Sequence, residues 1–211
     1  MTGLSFPESP RWHEDRLWFA DWGAQELIVL DLEGNHEVAL RVQSFPFCID
    51  WLPEGRLLVV HSRDRLVLRR EPDGSLVTHA DLNPLGDGWN EIVVDGRGNA
   101  YVNGGTVALV RPDGSARQVA GELAFGNGMA VSADGSTLVV AESHANRLTG
   151  FDIAADGGLS NRRVWADLGD GVPDGICLDT DGAAWYADVP NHRCVRVREG
   201  GEVLQTIELD R

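Results

Sequence analysis

A short apolar strand running into a polar turn recurs five times along the chain, at a period of about 40 residues, and few folds accommodate such a period. The frame can be written on its first residue. Glu8, Phe47, Asn90, Asn127 and Asp174 each stand four residues ahead of an apolar residue (Trp12, Trp51, Val94, Val131 and Leu178). In the last four units a glycine follows at the eighth place: Gly55, Gly98, Gly135 and Gly182. The first unit has a shorter turn, His13-Glu14-Asp15. Behind each opening strand the pattern predicts three more; in the second unit the four fall at 49–51, 56–60, 65–70 and 76–80. Asp-Gly or Glu-Gly pairs at 54–55, 73–74, 113–114, 134–135 and 181–182 supply hairpin chemistry. No stretch carries a helical period. Five units of four strands read as an all-β chain, a β-propeller.

That architecture gives the frame a meaning. The first strand of each blade lines the central channel, so equivalent positions at its start converge on one mouth. Glu8, Asn90, Asn127 and Asp174 are then distant in sequence and adjacent in space. Two carboxylates and two amides make a hard, oxygen-rich site, suited to Ca²⁺ and able to hold Mn²⁺ or Zn²⁺. Without a cation, Glu8 and Asp174 would repel, and one would be driven to protonate. For any one of these residues, a local turn cap is the simpler reading; four in a shared phase favour a common site. A second ring, Asp21, His61, Asn103, Glu142 and Asp188, ends the second strands at the same mouth. These residues either orient the ligands or, for most of them, accept loop amides. His61 and His144 are candidate proton carriers without a mapped partner. The tryptophans read as blade packing, with Trp89, beside Asn90, as the one candidate for ligand contact.

Composition removes several function classes. The formal charge is −15 and every basic residue is Arg, which excludes a Schiff-base lysine and argues against nucleic acid or an anionic membrane as partner. Cys48, Cys177 and Cys194 are few, widely spaced and without a CxxC, and read as buried residues of a reduced protein. The first residues carry neither a basic nor an apolar leader region, and no run approaches a membrane span, so the expected compartment is the cytoplasm. Ser9, Ser62 and Ser143 sit in no Gly-x-Ser-x-Gly elbow. The Gly-rich stretch 103–106 opens no helix that could cradle phosphate.

Four segments together resemble the SMP-30/gluconolactonase/regucalcin family of six-bladed propellers: Phe6-Pro-Glu8-Ser-Pro-Arg-Trp12, Trp89-Asn-Glu-Ile-Val-Val-Asp95, Asn127-Gly-Met-Ala and Val172-Pro-Asp174-Gly-Ile-Cys. The resemblance covers essentially the whole chain, read as one propeller domain over 1–211. It implies one divalent cation held by Glu8, Asn127 and Asp174, with Ca²⁺ first and Zn²⁺ or Mn²⁺ as alternatives. It assigns substrate contact to Asn90, flanked by Trp89 and Glu91, and suggests hydrolysis of a small sugar lactone. In that reading the cation polarises the lactone carbonyl for attack by water, and Asp174 is the candidate general base. A non-catalytic calcium-binding propeller or interaction scaffold is the alternative, and an aryl or organophosphate esterase a third. The assembly state stays open between monomer and homo-oligomer. The chain departs from the family in three places. Only five repeats are present, so the C-terminal blade is expected to be missing from an incomplete chain. Val102–Val107 is a short connection where relatives have a longer loop. Gly88 stands where some relatives place a substrate-binding Arg.

Overall fold

The structure, a computed structural model, describes residues 2–210. Five antiparallel sheets of four strands follow one another along the chain, each meandering in sequence order. Blade 1 is β1 (Pro7–His13), β2 (Arg16–Asp21), β3 (Glu26–Leu30) and β4 (His36–Arg41); blade 2 is β5 (Phe47–Trp51), β6 (Leu57–His61), β7 (Leu66–Arg70) and β8 (Leu76–Asp81). Blade 3 is β9 (Glu91–Val94), β10 (Ala100–Asn103), β11 (Val107–Val110) and β12 (Ala116–Ala120). Blade 4 is β13 (Gly126–Val131), β14 (Thr137–Glu142), β15 (Arg147–Ile153) and β16 (Leu159–Asp167). Blade 5 is β17 (Pro173–Leu178), β18 (Ala184–Asp188), β19 (Arg193–Val197) and β20 (Val203–Glu208). The five blades form a β-propeller, as the repeat requires, with neighbouring inner strands packed in sequence order, β1 on β5, β5 on β9, β9 on β13 and β13 on β17.

The core lies between blades. Ala20 and Leu27 of blade 1 pack with Phe47, Ile49 and Val59 of blade 2. Leu58 and Val60 meet Ile92 and Val102 across the next interface, Tyr101 and Leu109 meet Leu138 and Val140, and Val139 and Leu148 meet Tyr186 and Val195. Side chains of a strand alternate between faces, so the middle strands of blades 2, 3 and 4 bury both sides. β6 and β10 are buried along their whole lengths. Such strands read as apolar runs without alternation, Leu57-Leu58-Val59-Val60 for instance.

The inner strands begin earlier than their apolar residues suggest: at Phe47, Glu91, Gly126 and Pro173, where the apolar runs start at Ile49, Ile92, Met129 and Ile176. Bulges account for most of the difference. The register slips between Glu8 and Arg11 in β1, between Gly126 and Met129 in β13, and between Pro173 and Ile176 in β17. Pairing thus resumes ahead of the polar residues, one extra residue being accommodated in each strand. β5 and β9 pair with their neighbours without a slip.

Gly128, inside the β13 bulge, allows β13 and β17 to approach. A Cβ there would lie 2.5 Å from the Ile176 amide nitrogen and 2.6 Å from the Asp174 carbonyl oxygen. Both obstacles are backbone, so one strand must move. Gly128→Ala is expected to cost about 1–3 kcal/mol of stability, the usual scale of overpacking, read from a urea melt. An unchanged midpoint would show that the two strands are not in close contact.

Candidate metal and substrate site

The three bulges carry the three residues of interest. Asn127 and Asp174 stand inside the bulged segments of β13 and β17, Glu8 is the last paired residue before the bulge of β1, and all three line one cavity of about 520 Å³. A bulge turns a side chain away from the regular alternation, and in these three blades the polar residue of the shared phase reaches the cavity at one. Ser9, next to Glu8, takes a left-handed φ of 50° in making the turn.

The electrostatics match the geometry. Glu8 is pushed up from 4.5 to about 7, by burial first and then by the negative charges of Asp174 and Glu91. Asp174 is also raised by burial, against a hydrogen bond from the Asn127 side chain and one from the Gly175 amide. Among the described residues no three His, Cys, Asp or Glu side chains are grouped tightly enough to hold a metal ion unaided. The set formed by Glu8, Asn127 and Asp174 has two carboxylates and an amide. Its chemistry fits a hard divalent cation, because two half-buried carboxylates that repel one another are relieved by positive charge between them.

A pH dependence follows. Folded Glu8 keeps its proton up to about pH 7 and the unfolded chain releases it near 4.5, so the folded state binds more protons in that window. The associated stability is complete below the lower value and is lost as pH rises through the upper one. Chelator-treated protein should therefore melt at lower temperature at neutral pH than at mildly acidic pH, and Glu8→Gln should flatten that slope. A slope unaffected by the substitution would assign it to other groups.

Arg11 is the basic residue lining this cavity, and it is already engaged. Its Nη2 donates to Glu91 Oε1 at 2.8 Å and to the Ile92 carbonyl at 2.7 Å, and its Nη1 donates to the Pro10 carbonyl at 2.9 Å. The guanidinium thus ties blade 1 to blade 3 beside the proposed cation site. Glu91 Oε1 also accepts the Ile92 amide at 2.8 Å. Nothing in the sequence marks this pair, whose members are 80 residues apart.

The flanking assignments need correction. Trp89 is fully buried in the core between blades 2 and 3 and does not line the cavity, so it has no surface to offer a substrate. Its ring turns inward because it packs with the apolar run of β6. Asn90 is half-buried, donates its amide to the Asn103 carbonyl at 2.7 Å, and also lies outside the lining, whereas Glu91 is part of it. Cys177 departs from the expectation of buried thiols: it is exposed, on the blade 5 face that borders the cavity with Trp185 and Cys194.

The second ring serves the backbone. Asp21 accepts the amides of Ser5 at 2.9 Å and Phe6 at 2.8 Å, Glu142 that of Ala124 at 2.7 Å, and Asp188 that of Val172 at 3.1 Å. Each carboxylate holds the segment leading into a bulged strand, in the three blades that carry Glu8, Asn127 and Asp174. Burial opposes ionisation of Asp21, but these amide bonds outweigh it and hold the carboxyl below its ordinary value. Asn103 donates to the Asn127 carbonyl at 2.6 Å. His61 accepts the Asp64 amide, and His144 stacks on Phe125 at 4.7 Å; neither lines the cavity.

Residues 6–211 match the family described as SMP-30/Gluconolactonase/LRE-like region. The chain belongs to this family. Among curated SMP-30/gluconolactonase relatives, regucalcin of Danio rerio is 34% identical over 104 residues, 47% of this chain and 35% of that protein. A 6-deoxy-6-sulfogluconolactonase of Pseudomonas putida is 26% identical over 219 residues, covering 96% of this chain and 75% of the relative. Among solved structures, a calcium-binding regucalcin from Agrobacterium tumefaciens superposes with a TM-score of 0.81 at 22% identity, over 99% of this chain and 76% of its own. The chain thus spans about three-quarters of that structure and about a third of the regucalcin it matches in sequence. No helix among the described residues is long and apolar enough to cross a membrane.

Proposed function

We propose that this chain belongs to a divalent-cation-dependent hydrolase of small lactones. The observation that carries the reading is the convergence of Glu8, Asn127 and Asp174, from three different blades, on one cavity. The sulfogluconolactonase relative supports the reaction class, and the regucalcin relatives support the cation. A divalent cation held by those three side chains would polarise the lactone carbonyl and stabilise negative charge developing on its oxygen. Ca²⁺ is the expected ion, with Zn²⁺ or Mn²⁺ as alternatives.

The protein groups would do the rest. Asp174 takes a proton from the attacking water as the new C–O bond forms at the carbonyl carbon. The ring C–O bond then breaks, and the proton passes to the departing alkoxide, leaving a hydroxy acid. Glu91, which lines the cavity, would accept a substrate hydroxyl, while Arg11 holds Oε1 of that carboxylate. The product is an anion beside several carboxylates, which favours its release.

The test is acid release from gluconolactone and related lactones, followed with a pH indicator before and after chelation. Cation-dependent release above the spontaneous rate is expected. Cation binding without turnover would assign the chain to a calcium-binding scaffold instead, and absence of both would overturn the reading.

A further inference from the structure

We infer that Ser143 is a positioning residue that fixes which atom of the Asn127 amide faces the channel. The inference rests on the proposed cation site and concerns how this chain builds it. Ser143 opens the turn Ser143–Ala145 that follows β14, and it is 7% exposed. Its amide donates to the Phe125 carbonyl at 3.1 Å, which sets the turn against the segment leading into β13.

The hydroxyl has one proton to give. It gives it to the Pro173 carbonyl, at 2.6 Å, on the residue before Asp174. What remains on Oγ is lone pairs, so the neighbouring Asn127 amide can only donate to it. Asn127 Nδ2 lies 3.4 Å away in that role and also donates to Asp174. With the nitrogen directed to Ser143 and Asp174, Asn127 Oδ1 is left for the channel. An amide can ligate a cation only through oxygen, and a flipped amide would present two N–H donors to the same place. One buried hydroxyl thereby joins a side chain of blade 4 to the backbone beside Asp174 in blade 5.

Outer groups that orient ligands typically change metal affinity by about 10–100-fold. Ser143→Ala should weaken Ca²⁺ binding by about tenfold or more in isothermal titration calorimetry, and Ser143→Thr, which keeps the hydroxyl, should restore most of it. The deciding measurement repeats Ser143→Ala in an Asn127→Asp background. A carboxylate offers oxygen in either orientation, so there the serine should have little influence on affinity. An equal loss in both backgrounds would place the effect on the Pro173 strand and overturn the amide assignment, as would an unchanged affinity of Ser143→Ala alone. If the unsubstituted protein binds no Ca²⁺, both this inference and the cation site fail. If it binds Ca²⁺ but releases no acid from lactones, only the hydrolase reading fails.

Discussion

Asp174→Asn is expected to lower cation-dependent lactone hydrolysis about a thousandfold, the middle of the range for loss of a general acid or base. The substitution keeps the size of the side chain and removes both its charge and its proton acceptor. It should weaken the cation as well, since one of two carboxylates in the set is gone. Glu8→Gln separates these effects: it removes the other carboxylate and leaves the base. With saturating cation, Glu8→Gln should recover activity and Asp174→Asn should not. Near-normal turnover by Asp174→Asn would take Asp174 out of the mechanism, whatever its effect on the ion. The geometry behind the expectation is the β17 bulge, which places Asp174 in the same cavity as Glu8 and within a hydrogen bond of Asn127.

Arg11→Met should cost about 3 kcal/mol of stability, the lower end of what removing one partner of a buried ion pair costs. The side chains of Arg11 and Glu91 are 22% and 11% exposed. Asp50 lies close enough to act on the same guanidinium. Without the guanidinium, Glu91 stays buried beside Glu8 with only the Ile92 amide on Oε1. The cost should therefore come from the stranded carboxylate more than from the lost contact. Glu91→Gln added to Arg11→Met should return a large part of the stability, since a neutral amide is cheaper to bury than an unpaired charge. Denaturant melts of the two single variants and the double variant close the cycle. Additive losses would mean that the two groups act independently, against the 2.8 Å contact between them.

How far the site was legible differs from residue to residue. That Glu8, Asn127 and Asp174 share one cavity could be read ahead because a propeller repeats its register, and residues in the same phase of different blades come together. Asn90 shares that phase too, yet it lies outside the cavity lining, one residue ahead of β9, which pairs without a slip. Trp89 adjoins a polar position in sequence but faces the core between two blades. Spacing along the chain cannot distinguish a regular strand from a bulged one, since a bulge is a property of two paired strands.

The same division holds for the fold and for the groups that tune the site. Period, turn chemistry and apolar runs are local, and they settled the all-β class, the five blades and the shared mouth. The Arg11–Glu91 pair, the carboxylates holding the inner strands of blades 1, 4 and 5 and the Ser143 link to Asn127 and Pro173 are contacts between different segments of the chain. Short-range order dictates which elements form. Only the packing of blade on blade decides which side chains then meet, because hydrogen bonds and charges act over a few ångströms of space and carry no memory of sequence distance.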